Sequence, residues 1–213
     1  MLFDVPVETE VVCSVEKDPL SSGLEEMSDK LFKRFADKHY SLIDELRDIS
    51  FPKKGQQFRL ITRSKFNSIQ FIDLIAENEI IEQMTIVIYS INFNAAKILV
   101  GLVNSGRIKK LDVMMSNLRN KAYREKEEIV KNELTAHENI TLFFCSSHAK
   151  IFTCRTDAGN YYTLEGSGNM AYNSRVEQYV IDNDKGLYDF TVSWVDSIKK
   201  FLHGKKELEV CSE

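Results

Sequence analysis

His148 and Lys150 stand two residues apart, and further along the chain come Gly166-Ser167-Gly168-Asn169 and then Asn173-Ser174-Arg175-Val176-Glu177. These residue types suit phosphate chemistry. An imidazole can act as a nucleophile or carry a proton near neutral pH, and an ammonium is a compact counter-charge for phosphate oxygens. On an extended strand, residues i and i+2 share a face, so His148 and Lys150 would address one ligand together. Ser167 and Asn169 add neutral hydrogen-bonding groups, and Gly166 and Gly168 let the backbone come close to a bound anion. Each piece alone is ordinary: His-x-Lys recurs by chance, and Gly-Ser-Gly-Asn is a common turn. Their order, between alternating apolar runs and with Glu177 following, carries the signal.

Together these residues resemble the signature of the phospholipase D superfamily: His-x-Lys-x4-Asp, a spacer, Gly-Ser-x-Asn, and often a glutamate beyond. Upstream, Thr85-Ile-Val-Ile-Tyr-Ser-Ile-Asn-Phe-Asn is similar to the family's strand-then-helix opening. The resemblance covers residues 55 to 203. One position departs from it: Arg155 stands where the signature has aspartate, and the nearest carboxylate is Asp157. In the family that aspartate is generally structural.

The resemblance implies an α/β fold, a phospholipase D-like mixed β-sheet flanked by helices. It also implies a metal-independent phosphodiesterase without cofactors. His148 would attack phosphorus and form a phosphohistidine, and Glu177 would orient the ring. Lys150 and Asn169 would neutralise the non-bridging oxygens, and Ser167, with Gly166 and Gly168, would bind phosphate or support the turn. A second histidine must protonate the leaving oxygen. Full-length members carry two copies of the motif, and this chain carries one. His39, His137 and His203 lack the downstream set, although His203-Gly-Lys205 matches its first positions. A homodimer that brings two His148 side chains to one site is therefore expected.

Composition fits a soluble enzyme domain, with 43% hydrophobic and 28% charged residues among 213. No apolar run approaches the roughly 20 residues of a membrane span, and the N-terminus lacks the basic and apolar regions of a signal peptide. Cys13, Cys145, Cys154 and Cys211 show no metal-ligand spacing; Cys145 and Cys154, in apolar strand-like runs, read as small core residues, and a reducing cytoplasm is the simplest setting. Charge is uneven. Residues 1–50 carry 6 Lys/Arg against 12 Asp/Glu, whereas residues 51–150 carry 15 against 10. In that basic middle, Arg107, Lys109, Lys110, Arg119, Lys121 and Arg124 are candidate nucleic-acid contacts. Lys121 to Lys131, interleaved with Glu125, Glu127 and Glu128, reads equally well as a solvated helix face.

A nuclease is the leading expectation. A lipid or small-molecule phosphodiesterase follows it, since no basic amphipathic element with exposed aromatics suggests a membrane surface. A non-catalytic dimeric module that binds nucleic acid or serves assembly is a third reading, favoured by the displaced aspartate.

The elements that must position these residues can be read from periodicity. Residues 1–52 form an N-terminal arm and an amphipathic helix, opened by Ser22-Gly-Leu-Glu25 as a capping box and running to about Asp48. Its stripe of Leu24, Met27, Leu31, Phe35, Leu42, Leu46 and Ile49 suits a protein partner. Residues 53–205 form the phospholipase D-like domain and 206–213 a tail. Within the domain, strands are expected at Phe58–Thr62, Thr85–Tyr89, Leu111–Met115, Ile140–Cys145, Lys150–Cys154, Tyr161–Glu165 and Val176–Ile181. Helices are expected at Ser68–Asn78, Asn94–Asn104, Leu118–Leu134 and Leu187–Leu202.

Overall fold

A computed structural model describes Leu46 and Arg47 and residues 51–63, 66–117, 121–171 and 175–210, with backbone alone for 63, 121–125 and 203–210. Three strand–helix pairs come first: β1 (Gln57–Arg63) and α1 (Ile69–Asn78), β2 (Ile81–Ile88) and α2 (Phe93–Asn104), β3 (Leu111–Ser116) and α3 (Lys121–Thr135). Four strands and a closing helix follow: β4 (Ile140–Cys145), β5 (Ile151–Thr156), β6 (Tyr161–Gly166), β7 (Val176–Asn183) and α4 (Lys185–Val210). The strands form one sheet in the order β1-β7-β6-β5-β2-β3-β4. β2, β3 and β4 run parallel, while β5, β6, β7 and β1 continue from β2 in antiparallel pairs. The expected mixed α/β sheet flanked by helices is what the chain forms.

Alternation along the strands builds two cores, because successive side chains point to opposite faces. Met84, Ile86 and Ile88 of β2 join Phe152, Cys154, Leu164, Tyr179 and Ile181 in the main core, beneath Phe71, Ile72 and Ile75 of α1 and Ala95 and Leu99 of α2. Val87 and Met114 point the other way and meet Trp194, Val195 and Ile198 of α4. The sheet is thus the middle of three layers. Cys154 is fully buried in the main core, as its apolar surroundings suggested, and Cys145 is half-buried.

α4 crosses its face obliquely. Tyr188 meets Tyr161 at the start of β6, with ring centroids 5.2 Å apart. About three turns on, Lys199 pairs with Asp112 of β3 at 2.7 Å, and Gln83 donates to the same carboxylate oxygen at 3.2 Å. The helix runs to Val210, beyond the expected Leu202.

β2 also starts earlier than the pattern suggested, at Ile81. Glu82 and Gln83 interrupt the apolar run, but they sit half-buried at the sheet's far end, where Lys109 and Arg155 both approach Glu82 at 3.6 Å. The same end is clamped by Glu79, whose carboxylate accepts hydrogen bonds from Tyr162 (3.2 Å), from Asn160 (2.9 Å) and from the Thr156 hydroxyl. Of the predicted N-terminal helix, Leu46 and Arg47 are described: Leu46 packs on the main core and Arg47 pairs with Glu77 of α1 at 2.8 Å. The remainder of that helix lies outside the described residues.

Asp112 is 7% exposed, so removing its cation strands a carboxylate in the sheet. Lys199→Ala should lower unfolding free energy by about 1–3 kcal/mol. Urea denaturation measures this, with Lys185→Ala as the control that opens an exposed pair and leaves the midpoint unmoved.

Candidate active site

The sheet has a chemical end and a structural end. β2, β3, β4 and β6 finish at the chemical end, and β5 and β7 begin there. His148 and Lys150 lie in the connection from β4 to β5, Gly166 to Asn169 follow β6, Glu177 opens β7, and Tyr89 and Ser90 follow β2. Open α/β sheets bind ligands beyond the carboxyl ends of their strands, and this is such a place.

Four segments close into one ring through specific contacts. Gly166 N–H donates to the Lys150 carbonyl at 3.1 Å, and Ser167 N–H donates to the Gln178 carbonyl at 3.1 Å. The Ser167 hydroxyl donates to Glu177 Oε2 and accepts from Gln178 N–H at 3.1 Å. Asn169 Oδ1 accepts from Ser90 N–H at 3.3 Å. The Tyr89 ring lies 5.1 Å from the His148 ring, tilted by 57°, and 5.6 Å from Lys150 Nζ.

The histidine and lysine do meet, but not on a strand. β5 starts at Ile151, one residue past Lys150 and three past His148. Lys150 Nζ instead folds back to donate to the His148 carbonyl at 2.7 Å and lies 3.1 Å from His148 Nδ1. An ammonium can only donate, so the ring nitrogen is the acceptor in this contact. Burial pulls the Lys150 pKa below the ordinary lysine value, and the nearby Glu177 carboxylate pulls the other way.

The glycines have a different reason from the one their sequence suggested. Neither Gly166 nor Gly168 is among the residues with positive φ. A Cβ on Gly166 would collide with the Tyr179 ring and lie 2.7 Å from the Gln178 carbonyl oxygen, and one on Gly168 would collide with the Tyr179 hydroxyl. The turn is glycine-rich because it lies directly on Tyr179. That ring is 1% exposed and packs against Phe66 at 5.5 Å and Phe71 at 5.3 Å. Burial, and then the charge of Glu177, push the Tyr179 pKa up, so the phenol stays neutral at any physiological pH.

Ser167 is fastened to β7 on both sides of its hydroxyl. Of the two roles open to it, support of the turn is the one the geometry favours. Asn169 has its amide oxygen engaged by backbone, so its Nδ2 donors are what it can offer an anion. Glu177 is buried at 6% exposure and meets Ser167. Tyr89, Ser90 and Tyr179 were not singled out by sequence reasoning as site residues. Tyr89 and Ser90 did stand within the quoted Thr85–Asn94 stretch, and Tyr179 shows the same inward period as Glu177 and Ile181.

The basic residues divide. Arg107, Lys109 and Lys110 precede β3 and so lie at the structural end, across the length of the sheet from His148. That is about 20 Å for the six residues of β5 at about 3.3 Å each. Arg107 donates there to the carbonyls of Ala76 and Glu79, closing the end of α1, and Lys109 faces Glu82. They are therefore not contacts of this site. Lys121 and Arg124 fall in the first turn of α3, just beyond the carboxyl end of β3 at the chemical end. Arg119, Asn173 and Ser174 lie outside the described residues. Asp157, the displaced aspartate, is also at the structural end, where its carboxylate accepts from Ile80 N–H at 3.0 Å.

No family model and no curated protein matches the chain. Solved structures similar to it include polyphosphate kinase from Porphyromonas gingivalis, at 11% identity over 67% of this chain and 24% of that one, TM-score 0.47. Another is Nuc from Salmonella typhimurium, a phospholipase D family member, at 18% identity over 66% of this chain and 93% of that one, TM-score 0.47. A third is the archaeal chromatin protein TrmBL2, described with a novel mode of DNA binding, at 12% identity over 84% of this chain and 66% of that one, TM-score 0.47. The chain thus spans about a quarter of the polyphosphate kinase.

Because Tyr179 cannot retreat from its aromatic neighbours, Gly166→Ala should destabilise the domain by about 1–3 kcal/mol through overpacking. Gly168→Ala should cost less in a Tyr179→Phe background than alone, since the phenyl lacks the colliding hydroxyl. A double-mutant cycle in urea reads both effects.

Proposed function

We propose that the chain is a phosphodiesterase of the phospholipase D type that cleaves nucleic acid without a metal, at a site completed by a second copy of itself. The observation that carries this reading is the convergence at one sheet end of the His148 imidazole, an ammonium 3.1 Å from it and the Asn169 carboxamide. The resemblance of His148, Lys150, Gly166 to Asn169 and Glu177 to the family signature supplies the roles.

When a diester enters, its non-bridging oxygens draw Lys150 Nζ away from the ring and accept from Asn169. The ring nitrogen that Lys150 capped then has its lone pair available for phosphorus. Attack forms the nitrogen–phosphorus bond and breaks the ester bond, and the leaving oxygen takes a proton from the imidazolium of the partner's His148. Water next attacks the phosphohistidine, giving its proton to the same partner imidazole. The bond to His148 breaks, and both rings return to their starting states. Developing negative charge is met by Lys150 and Asn169, and Glu177 offsets the charge that His148 acquires.

A single motif supplies one histidine of the required two, so the second copy belongs to the chemistry. Ile61 and Val176 are 72% and 68% exposed. They lie on one face of the β1–β7 pair at the chemical end, where Val176 pairs with Arg63 and Ile61 with Gln178. Two large apolar side chains in water beside an incomplete site suit a face that a second copy covers. Lys121 and Arg124, at the head of α3, are the remaining candidates for contact with a nucleic-acid backbone.

Two experiments test this reading. In EDTA, the wild type should hydrolyse bis(4-nitrophenyl) phosphate and DNA, and His148→Ala should lower kcat by about 10³-fold or more. Salt-dependent DNA binding without turnover in either protein would sink the enzyme and promote a binding module. Separately, Ile61→Glu combined with Val176→Glu should give a folded monomer by analytical ultracentrifugation, with turnover lost. An active monomer would refute the shared site.

A further inference from the structure

His148 faces a positional difficulty. It is exposed, it belongs to a connection rather than to a strand, and its ring nitrogen is met by the lysine that must leave when phosphate arrives. An imidazole on such a segment has several rotamers open to it. Something other than Lys150 must hold the ring in line during attack.

Tyr89 is the side chain placed to do so. It follows Ile86, Val87 and Ile88, all buried in the middle of the sheet. The residues after it are fastened as well. Ser90 N–H donates to Asn169 Oδ1 at 3.3 Å, Ile91 bridges Met170, Asn92 N–H donates to the Met170 carbonyl at 2.9 Å, and Asn92 caps α2 through Ala95 N–H at 2.8 Å. One short loop therefore fixes Asn169 through Ser90 and touches His148 through Tyr89. Its backbone is anchored on both sides by regular structure, and its ring lies 5.1 Å from the imidazole.

We propose that Tyr89 is the positioning residue of the site: its ring is the platform that keeps the His148 imidazole aligned with Asn169 once Lys150 has moved to the phosphate. The inference rests on the phosphodiesterase reading. The ring also lies 5.6 Å from Lys150 Nζ, so it guides the ammonium from the imidazole to the phosphate through its negative face. The work is done by the ring and not by the phenol, because both contacts are made to the ring itself.

The test compares Tyr89→Phe, which keeps the platform, with Tyr89→Leu and the bulkier ring-free Tyr89→Met. With bis(4-nitrophenyl) phosphate, the phenylalanine variant should hold kcat within about twofold of wild type, and the ring-free variants should lose about tenfold or more, with KM little changed. In parallel, the His148 ring C–H signals, assigned by their absence in His148→Gln, should show an upfield ring-current shift in wild type and Tyr89→Phe. That shift should vanish in the ring-free variants. Unmoved His148 signals in Tyr89→Leu and Tyr89→Met overturn the proposal whatever the rates do, since Tyr89 would then act on the substrate or not at all. If the wild type hydrolyses no diester, the hydrolytic reading falls, and the NMR comparison still decides whether Tyr89 positions the histidine.

Discussion

β4 is the edge of the sheet and β5 pairs with β2, so between Cys145 and Ile151 the chain must pass over the carboxyl ends of β3 and β2. The crossing spans three strand spacings, about 14 Å at about 4.8 Å each. Five residues cover it in six Cα–Cα steps, whose fully extended reach is about 20 Å. The connection therefore has to run across the mouth of the parallel strands, with modest slack. His148 and Lys150 are carried there by the strand order itself. The other site residues then need only stand at the same sheet end, which the antiparallel run of β5, β6 and β7 secures: each reversal returns the chain to that end with Asn169 and then Glu177.

Strand order alone would place these residues within a region, not within bonding distance. Their register is set from below by Tyr179. Its ring lies under Gly166 and Gly168, and the two residues before it carry the Ser167–Gln178 and Ser167–Glu177 contacts. A larger residue at either glycine would lift the turn from β7 and move Asn169 away from Ser90. The geometry of the turn therefore depends on an aromatic cluster of Phe66, Phe71 and Tyr179 beneath it. The glycines let the turn lie flat on that cluster.

Much of this was legible in the sequence, because the fold is written in periodicity and the site in spacing. The continuous apolar run from Thr85 to Tyr89 reads as a buried strand, and β2 is buried from Met84 to Ile88. The motif residues were identified by type and order, and the structure gathers them at one end. What sequence could not convey was position across the sheet. Arg107 and Lys121 stand close together in the basic segment, yet β3 runs between them and delivers them to opposite ends. The start of β2 was hidden because Glu82 and Gln83 are polar for a local reason, their pairing with Lys109, Arg155 and Asp112. Tyr89 read as the end of a strand, since a contact to a residue far along the chain leaves no mark on its neighbours.

The two ends of the sheet also differ in how charge is treated, and the difference separates stability from chemistry. At the structural end, ionic and polar groups are matched: Glu79 with Tyr162, Asn160 and Thr156, Glu82 with Lys109 and Arg155, Asp157 with Ile80 N–H. Groups arranged in this way stabilise a fold by being satisfied within it. At the chemical end the ammonium of Lys150 is held against the His148 ring and the His148 carbonyl, neither of them an anion. Its carboxylate neighbour, Glu177, is buried and meets the hydroxyl of Ser167, so the hydroxyl that fastens the turn to β7 also engages the carboxylate whose charge, against the pull of burial, raises the Lys150 pKa.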